Sequence, residues 1–195
     1  MTAGCRAGHV MARAPRYTSG MPLPPDALVS GGDVLAMLAA TGAFRKTAEQ
    51  LLAEHGIADV AAGAWYPLPG YAAAMHELER RVGPNAVFRI GKEIPNHIEL
   101  PMSLDSFEAV AGAFGPAFKL NHRNAGSGGI DYEITGPESA TIVSATPYPC
   151  EFDRGVILGF FQKLLHVAPH YQHDNLLCKR KGAAVCVHYV SSQPR

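Results

Sequence analysis

Two hydrophobic periodicities divide this chain near Phe118, and their order limits the folds open to it. On the N-terminal side the apolar residues recur at helical spacing. Val34, Leu35, Leu38 and Ala39 share one face, and Phe44, Ala48, Leu51 and Leu52 share another, with Gly56 as a stop. The spacing predicts a third helix over 70–81, ahead of Gly83-Pro84, and a fourth from Val87 to Ile94. A fifth is expected from Asp105, where Glu108 three residues on resembles a capping box. On the C-terminal side the pattern alternates. Phe118–His122, Ile130–Ile134 and Ala140–Ala145 read as a β-meander, broken by turns at 125–129 and Gly136-Pro137. One helix interrupts it, from Asp153 to about His166, with Val156, Ile157, Phe160, Phe161, Leu164 and Leu165 as a single apolar stripe. Two strands, 174–179 and 183–190 joined at Gly182, close the chain. The expected class is α+β: N-terminal helices packed on an antiparallel sheet, with a long amphipathic helix and a C-terminal metal-binding hairpin.

Composition removes several functions. Lys+Arg and Asp+Glu both number 17, so the net charge is zero and a nucleic-acid binder held by phosphates is excluded. With 47% hydrophobic and 17% charged residues the chain has a core to bury. Its 20 Gly and 15 Pro do not suit a helical bundle. The uncharged stretch Ala109–Phe118 is broken by Pro116 and falls well short of the ~20 residues that cross a bilayer. Residues 1–30, rich in Pro, Gly, Ala and Ser, read as a flexible tail, and 31–195 as one ligand-binding domain. The tail holds Arg6, Arg13 and Arg16 but no apolar block of a secretory signal, so the expected location is cytoplasmic. Cysteines there are thiols or metal ligands before they are disulfides.

Catalytic motifs are missing. Gly126-Ser127-Gly128-Gly129 lacks the Lys-Ser/Thr of a phosphate-binding loop. There is no nucleophile elbow and no dinucleotide fingerprint, so the reading is non-enzymatic. The informative pattern is in the cysteines. Cys178 and Cys186 each stand four residues from Gly182. If Gly182 tops a hairpin, the two sulfurs oppose each other and can share a tetrahedral metal. Cys150 offers a third sulfur and His173 an imidazole, with Asp174 and Glu151 as oxygen alternatives. The same cysteines also suit a packed core or a disulfide. For an apolar ligand, Trp65, Tyr66, Phe114, Phe118, Phe160 and Phe161 are the aromatic candidates, with His122 or Tyr132 as polar contacts. All of them suit a core equally well.

The segment Pro147-Tyr148-Pro149-Cys150-Glu151-Phe152-Asp153-Arg154-Gly155, followed by Cys178-Lys-Arg-Lys-Gly182-x-x-x-Cys186-x-His188-Tyr189, resembles the 4-vinyl reductase-like domain. That domain is the small-molecule-binding module of phenol-sensing bacterial activators. It is related to the haem nitric-oxide-binding sensors and to subunits of vesicle-tethering complexes. Trp65-Tyr66-Pro67, Ile90-Gly91 and Asn121-His122-Arg123 add to the likeness, which spans 31–189. The resemblance implies a hydrophobic ligand pocket, homodimerisation and a structural zinc near the C-terminus. Cys150, Cys178 and Cys186 match its zinc ligands. Its glutamate, three residues before the first hairpin cysteine, is Asn175 here, so His173 is the expected fourth ligand. The expected function is a sensory domain for a small hydrophobic or aromatic molecule, signalling through a separate protein, with zinc as cofactor and haem set aside. Haem would need an axial histidine, for which His122, His166 and His170 are the candidates. The rival readings are a reductase or accessory protein for tetrapyrrole vinyl groups, a haem-based gas sensor, and an assembly scaffold.

Overall fold

Ser30 starts the first helix: its hydroxyl accepts the Asp33 amide at 3.1 Å, satisfying one of the first-turn donors. In the computed structural model, which describes residues 23–98, 104–166 and 168–192, this helix is α1 (Gly31–Ala40). It follows β1 (Leu28–Ser30) and precedes α2 (Arg45–Glu54), β2 (Trp65–Pro67), α3 (Leu68–Val82) and α4 (Pro84–Glu93). Gly83, at φ 87°, ends α3, and Pro84 opens α4, where its missing N–H costs nothing. Then come α5 (Phe107–Asn121), β3 (His122–Arg123), β4 (Ile130–Gly136), β5 (Ser139–Ser144), α6 (Cys150–Leu165), β6 (His170–His173) and β7 (Cys186–Ser191).

The class is α+β, as the two periodicities imply. Six helices accompany two antiparallel sheets among the described residues, one ordered β2-β1-β3 and the other β4-β5-β7-β6. One apolar core lies among α1, α2, α3 and α4; a second lies between α5, α6 and the four-stranded sheet. α6 joins them through α4, and glycine makes that seam. A Cβ on Gly155 would strike the Phe88 carbonyl, one on Gly159 the Lys92 carbonyl, and one on Gly91 the Phe152 carbonyl. Only hydrogens fit between these backbones.

The structure corrects four expectations. Ala27 and Val29 are fully buried and β1 pairs with two strands, so 27–30 belong to the folded body; residues 1–22 of the expected tail lie outside the described residues. Phe118–Asn121 is the last turn of α5, not a strand, because Phe118 continues the stripe of Phe114 one turn earlier. The cap of α5 is Ser106, whose hydroxyl accepts the Ala109 amide at 3.1 Å, rather than Asp105 with Glu108. The closing pair is β6 with β7, in register His173↔His188, and not 174–179 with 183–190. Asp174 accepts the Leu176 and Leu177 amides at 2.8 and 2.9 Å, which turns the chain out of the ladder. A 3-10 turn over Lys179–Lys181 and Gly182 at φ 85° complete the excursion.

Candidate functional site

Two regions gather chemistry. The first is a cavity of about 90 Å3 between α5 and α6. Phe114 and Phe118 from one helix and Phe152, Val156 and Phe160 from the other form its apolar wall. The recurrence of 114/118 and 152/156/160 is one helical turn each, so the sequence itself aims these side chains at one space. The polar sector holds His122, Tyr148, Tyr71 and Asp33, together with Asn121, Thr146 and Asp153. His122 Nδ1 donates to the Phe118 carbonyl at 2.7 Å; since a carbonyl only accepts, Nδ1 carries the proton. Nε2 is then a bare acceptor, and it takes the Tyr148 hydroxyl. The ring stacks on Phe118 with centroids 3.9 Å apart. Burial holds the His122 pKa down at about 4, so the imidazole is neutral. Burial also pushes the Asp33 carboxyl up to about 7 and the Tyr148 phenol well above its usual range.

Of the aromatic candidates, Phe114, Phe118, His122 and Phe160 line this cavity. Trp65 and Tyr66 do not. β2 pairs with β1 on the far side, where Trp65 lies under the Arg123 guanidinium at 3.8 Å. The Tyr66 hydroxyl accepts the Ala61 amide at 2.8 Å and donates to the Asp59 carbonyl. Phe161 packs on Phe107 with centroids 4.6 Å apart, in the second core. Asp33, Tyr71, Tyr148 and Phe152 were not among the ligand candidates. Tyr148 and Phe152 stand inside the quoted 147–155 segment; Asp33 and Tyr71 carry no sequence signal, because only the tertiary fold brings α1 and α3 here.

The second region begins where α6 begins. The Cys150 Sγ lies 3.3 Å from that of Cys186 and 3.8 Å from that of Cys178, all three residues buried. The sequence joins the right cysteines for a partly wrong reason. Cys178 is not on a strand; it is held beside β7 by the Val187 amide on the Leu177 carbonyl and the Ala183 amide on the Cys178 carbonyl. Behind the sulfurs, Asp153 accepts from Ser144 and from Thr146 at 2.7 Å, and pairs with the Lys179 ammonium at 2.8 Å. Lys179 also donates to the Thr146 and Tyr148 carbonyls, both at 2.9 Å. The hydrogen bond from Cys186 and the Lys179 charge draw the Cys150 thiol down to about 6 against the effect of burial, so Cys150 is the first of the pair to ionise.

His173 does not join Cys150 and Cys178. It groups with Cys186 and His188, whose ligand atoms all lie within 4.8 Å of one another. Three thiols in contact are donors for a soft metal and equally the partners of a thiol–disulfide exchange.

No family model matches the sequence, and no curated protein does. Solved structures do. An H-NOX protein from S. oneidensis in the Fe(II)NO ligation state superposes with a TM-score of 0.62 at 15% identity, covering 85% of this chain and 99% of that one. An oxygen-binding H-NOX domain related to soluble guanylate cyclases gives 0.54 at 10% identity, covering 85% and 96%. The fold is that of the H-NOX domains. A third solved structure, described as modulating heme redox potential through protein-induced porphyrin distortion, gives 0.58 at 10% identity, covering 85% and 96%. The expected cofactor is corrected accordingly. Zinc was expected and haem set aside, whereas the proteins that share this fold are described by their ferrous iron and heme, so the comparison points to haem rather than zinc. Of the axial candidates, His166 and His170 are exposed; His122 alone faces the cavity.

Proposed function

We propose that this chain is a sensor domain that receives a small molecule or gas in the α5–α6 cavity, with His122 and Tyr148 as its reader. One observation carries the reading: a neutral, buried histidine clamped to a buried tyrosine faces a cavity with an apolar wall on one side and a few polar groups on the other. Ligand sites combine apolar walls with a few placed polar groups in this way. A ligand with a hydrogen-bonding group competes with Tyr148 for Nε2, or with Nε2 for the Tyr148 hydroxyl. Either exchange leaves a buried partner to be satisfied anew and gives occupied and empty states different energies, which a sensor requires. The 4-vinyl reductase-like resemblance belongs to this reading, supported by the gathering of Cys150, Cys178 and Cys186. So do a homodimer, consistent with zero net charge, and a separate signalling partner.

A second reading, a haem-based gas sensor, is favoured by the iron-bearing neighbours. The donor fits: His122 is neutral, and Nε2 is the atom that would hold iron. The space does not, because about 90 Å3 is below the ~150 Å3 that admits benzene, so even phenol needs the walls to give and a macrocycle needs far more. Haem therefore requires the α5 and α6 walls to part and Tyr148 to release Nε2. Were haem bound, it would supply a metal centre for a diatomic gas, and His122 Nε2 would hold it among the apolar side chains of α5 and α6.

The test is titration of wild-type and His122→Phe proteins with hemin, followed by its Soret band, and with phenol, followed by thermal shift. Phenol stabilising the wild type and not the variant supports the small-molecule reading. A Soret shift that depends on His122 supports haem. If neither probe responds to the substitution, the cavity is not the receptor.

A further inference from the structure

His188 is fully buried, yet its Nε2 has no hydrogen-bond partner. The Nε2 of His173, facing it across the β6–β7 register, is buried and bare as well. Buried polar atoms are nearly always satisfied, so two orphans side by side need an explanation. The two rings are stacked, with centroids 5.0 Å apart and planes at 8°, so neither nitrogen serves the other. Cys186 lies two residues before His188 on β7, on the same face of the strand. The ligand atoms of all three residues fall within 4.8 Å of one another.

The outer contacts complete the arrangement. The Tyr171 hydroxyl lies 2.6 Å from His188 Nδ1. In the tautomer protonated on Nδ1, that nitrogen donates to the Tyr171 oxygen and the Nε2 lone pair is left free. A metal-binding histidine has this design: one nitrogen anchored by a hydrogen bond, the other bare.

We infer that His173, Cys186 and His188 form a binding site for copper(I), separate from the cavity and sharing Cys186 with the three-thiol contact. Two imidazoles and one thiolate are soft to borderline donors in a three-coordinate set, the combination that selects copper among first-row metals. Binding displaces one proton, that of the Cys186 thiol, and leaves the site formally neutral. β6 is an edge strand and His173 is half-buried on it, which gives the ion an entry path. Cys186 is shared with Cys150, so metal binding breaks the Cys186–Cys150 hydrogen bond and couples the site to the start of α6.

The experiment is anaerobic copper(I) titration of the full chain against a chromophoric chelator, with X-ray absorption on the loaded protein. The wild type should bind one ion per chain with two nitrogen and one sulfur scatterers. His188→Gln and His173→Gln should each weaken binding by at least about 100-fold, and Tyr171→Phe by about 10–100-fold. Cys150→Ser/Cys178→Ser should retain the ion. A shell of three sulfurs, loss of the ion in Cys150→Ser/Cys178→Ser, unchanged binding in both histidine variants, or no binding by the wild type would each overturn the assignment. The absorption spectrum of the wild type decides even if a variant fails to fold.

Discussion

His122 and His188 are both buried and both uncharged, yet they sit in opposite states. His122 has each nitrogen engaged, one by a carbonyl and one by a phenol. His188 has one nitrogen anchored by Tyr171 and the other bare. Burial lowers both pKa values, to about 4 and about 3. The shift alone therefore does not separate a satisfied core histidine from an unfilled donor; the census of partners does. The first ring is part of a wall that a ligand must disturb. The second is a donor with nothing yet to hold.

α6 carries both regions, so the harshest test removes their common support. Gly155→Leu places a side chain against the backbone of Phe88 and Lys92. The expected outcome is loss of the folded state, read as the absence of a cooperative thermal transition, since overpacking on rigid backbone exceeds the usual 1–3 kcal/mol. A folded variant would mean that the α4–α6 seam is not as close as described. The next test concerns acid. An unfolded histidine titrates near 6.5, and His122 near 4, so the unfolded state binds more protons between those values. Stability is thus lost as pH falls from about 6.5 to 4, by up to about 3 kcal/mol from this one group. Urea unfolding across that range should show a shallower acid loss for His122→Phe than for wild type; equal slopes would place the titration elsewhere. The mildest test sets the two histidines directly against each other. Tyr148→Phe strips the donor from His122 Nε2 and should cost about 1–3 kcal/mol. His188→Leu combined with Tyr171→Phe, in metal-free protein, removes the bare nitrogen together with both ends of the Tyr171–His188 bond and should cost less than about 1 kcal/mol. Reversed magnitudes in chemical denaturation would show that the wrong histidine has been called satisfied.

Much of this was legible in the chain. The period of 3.6 marked six helices, because each buries one face, and the alternation of 130–134 and 140–145 marked two strands that pair as expected. The apolar run of α6 aimed Val156 and Phe160 at the cavity. What misled was chemistry local to a few residues. Asp174 and Gly182 bend the chain out of a ladder that symmetry about Gly182 alone would have continued. Phe118–His122 alternates as a strand does, but so short a run does not outweigh the helix already passing through Phe114. One acid and one tyrosine of the cavity, Asp33 and Tyr71, come from helices with no ligand-like pattern. The partnerless nitrogens of His173 and His188 could not be read at all, since a missing hydrogen bond exists only in three dimensions.

The glycine seam has one more consequence. Helices normally lock by fitting ridges of side chains into grooves, which resists both separation and displacement. Gly91, Gly155 and Gly159 leave smooth backbone where those ridges would stand. Such a joint keeps α4 and α6 close while offering little purchase against motion along it, the condition for shear rather than hinge movement. Were α6 to slide along α4, Phe160 in the cavity and Cys150 at its first turn would move together, and Cys150 would shift against Cys178 and Cys186.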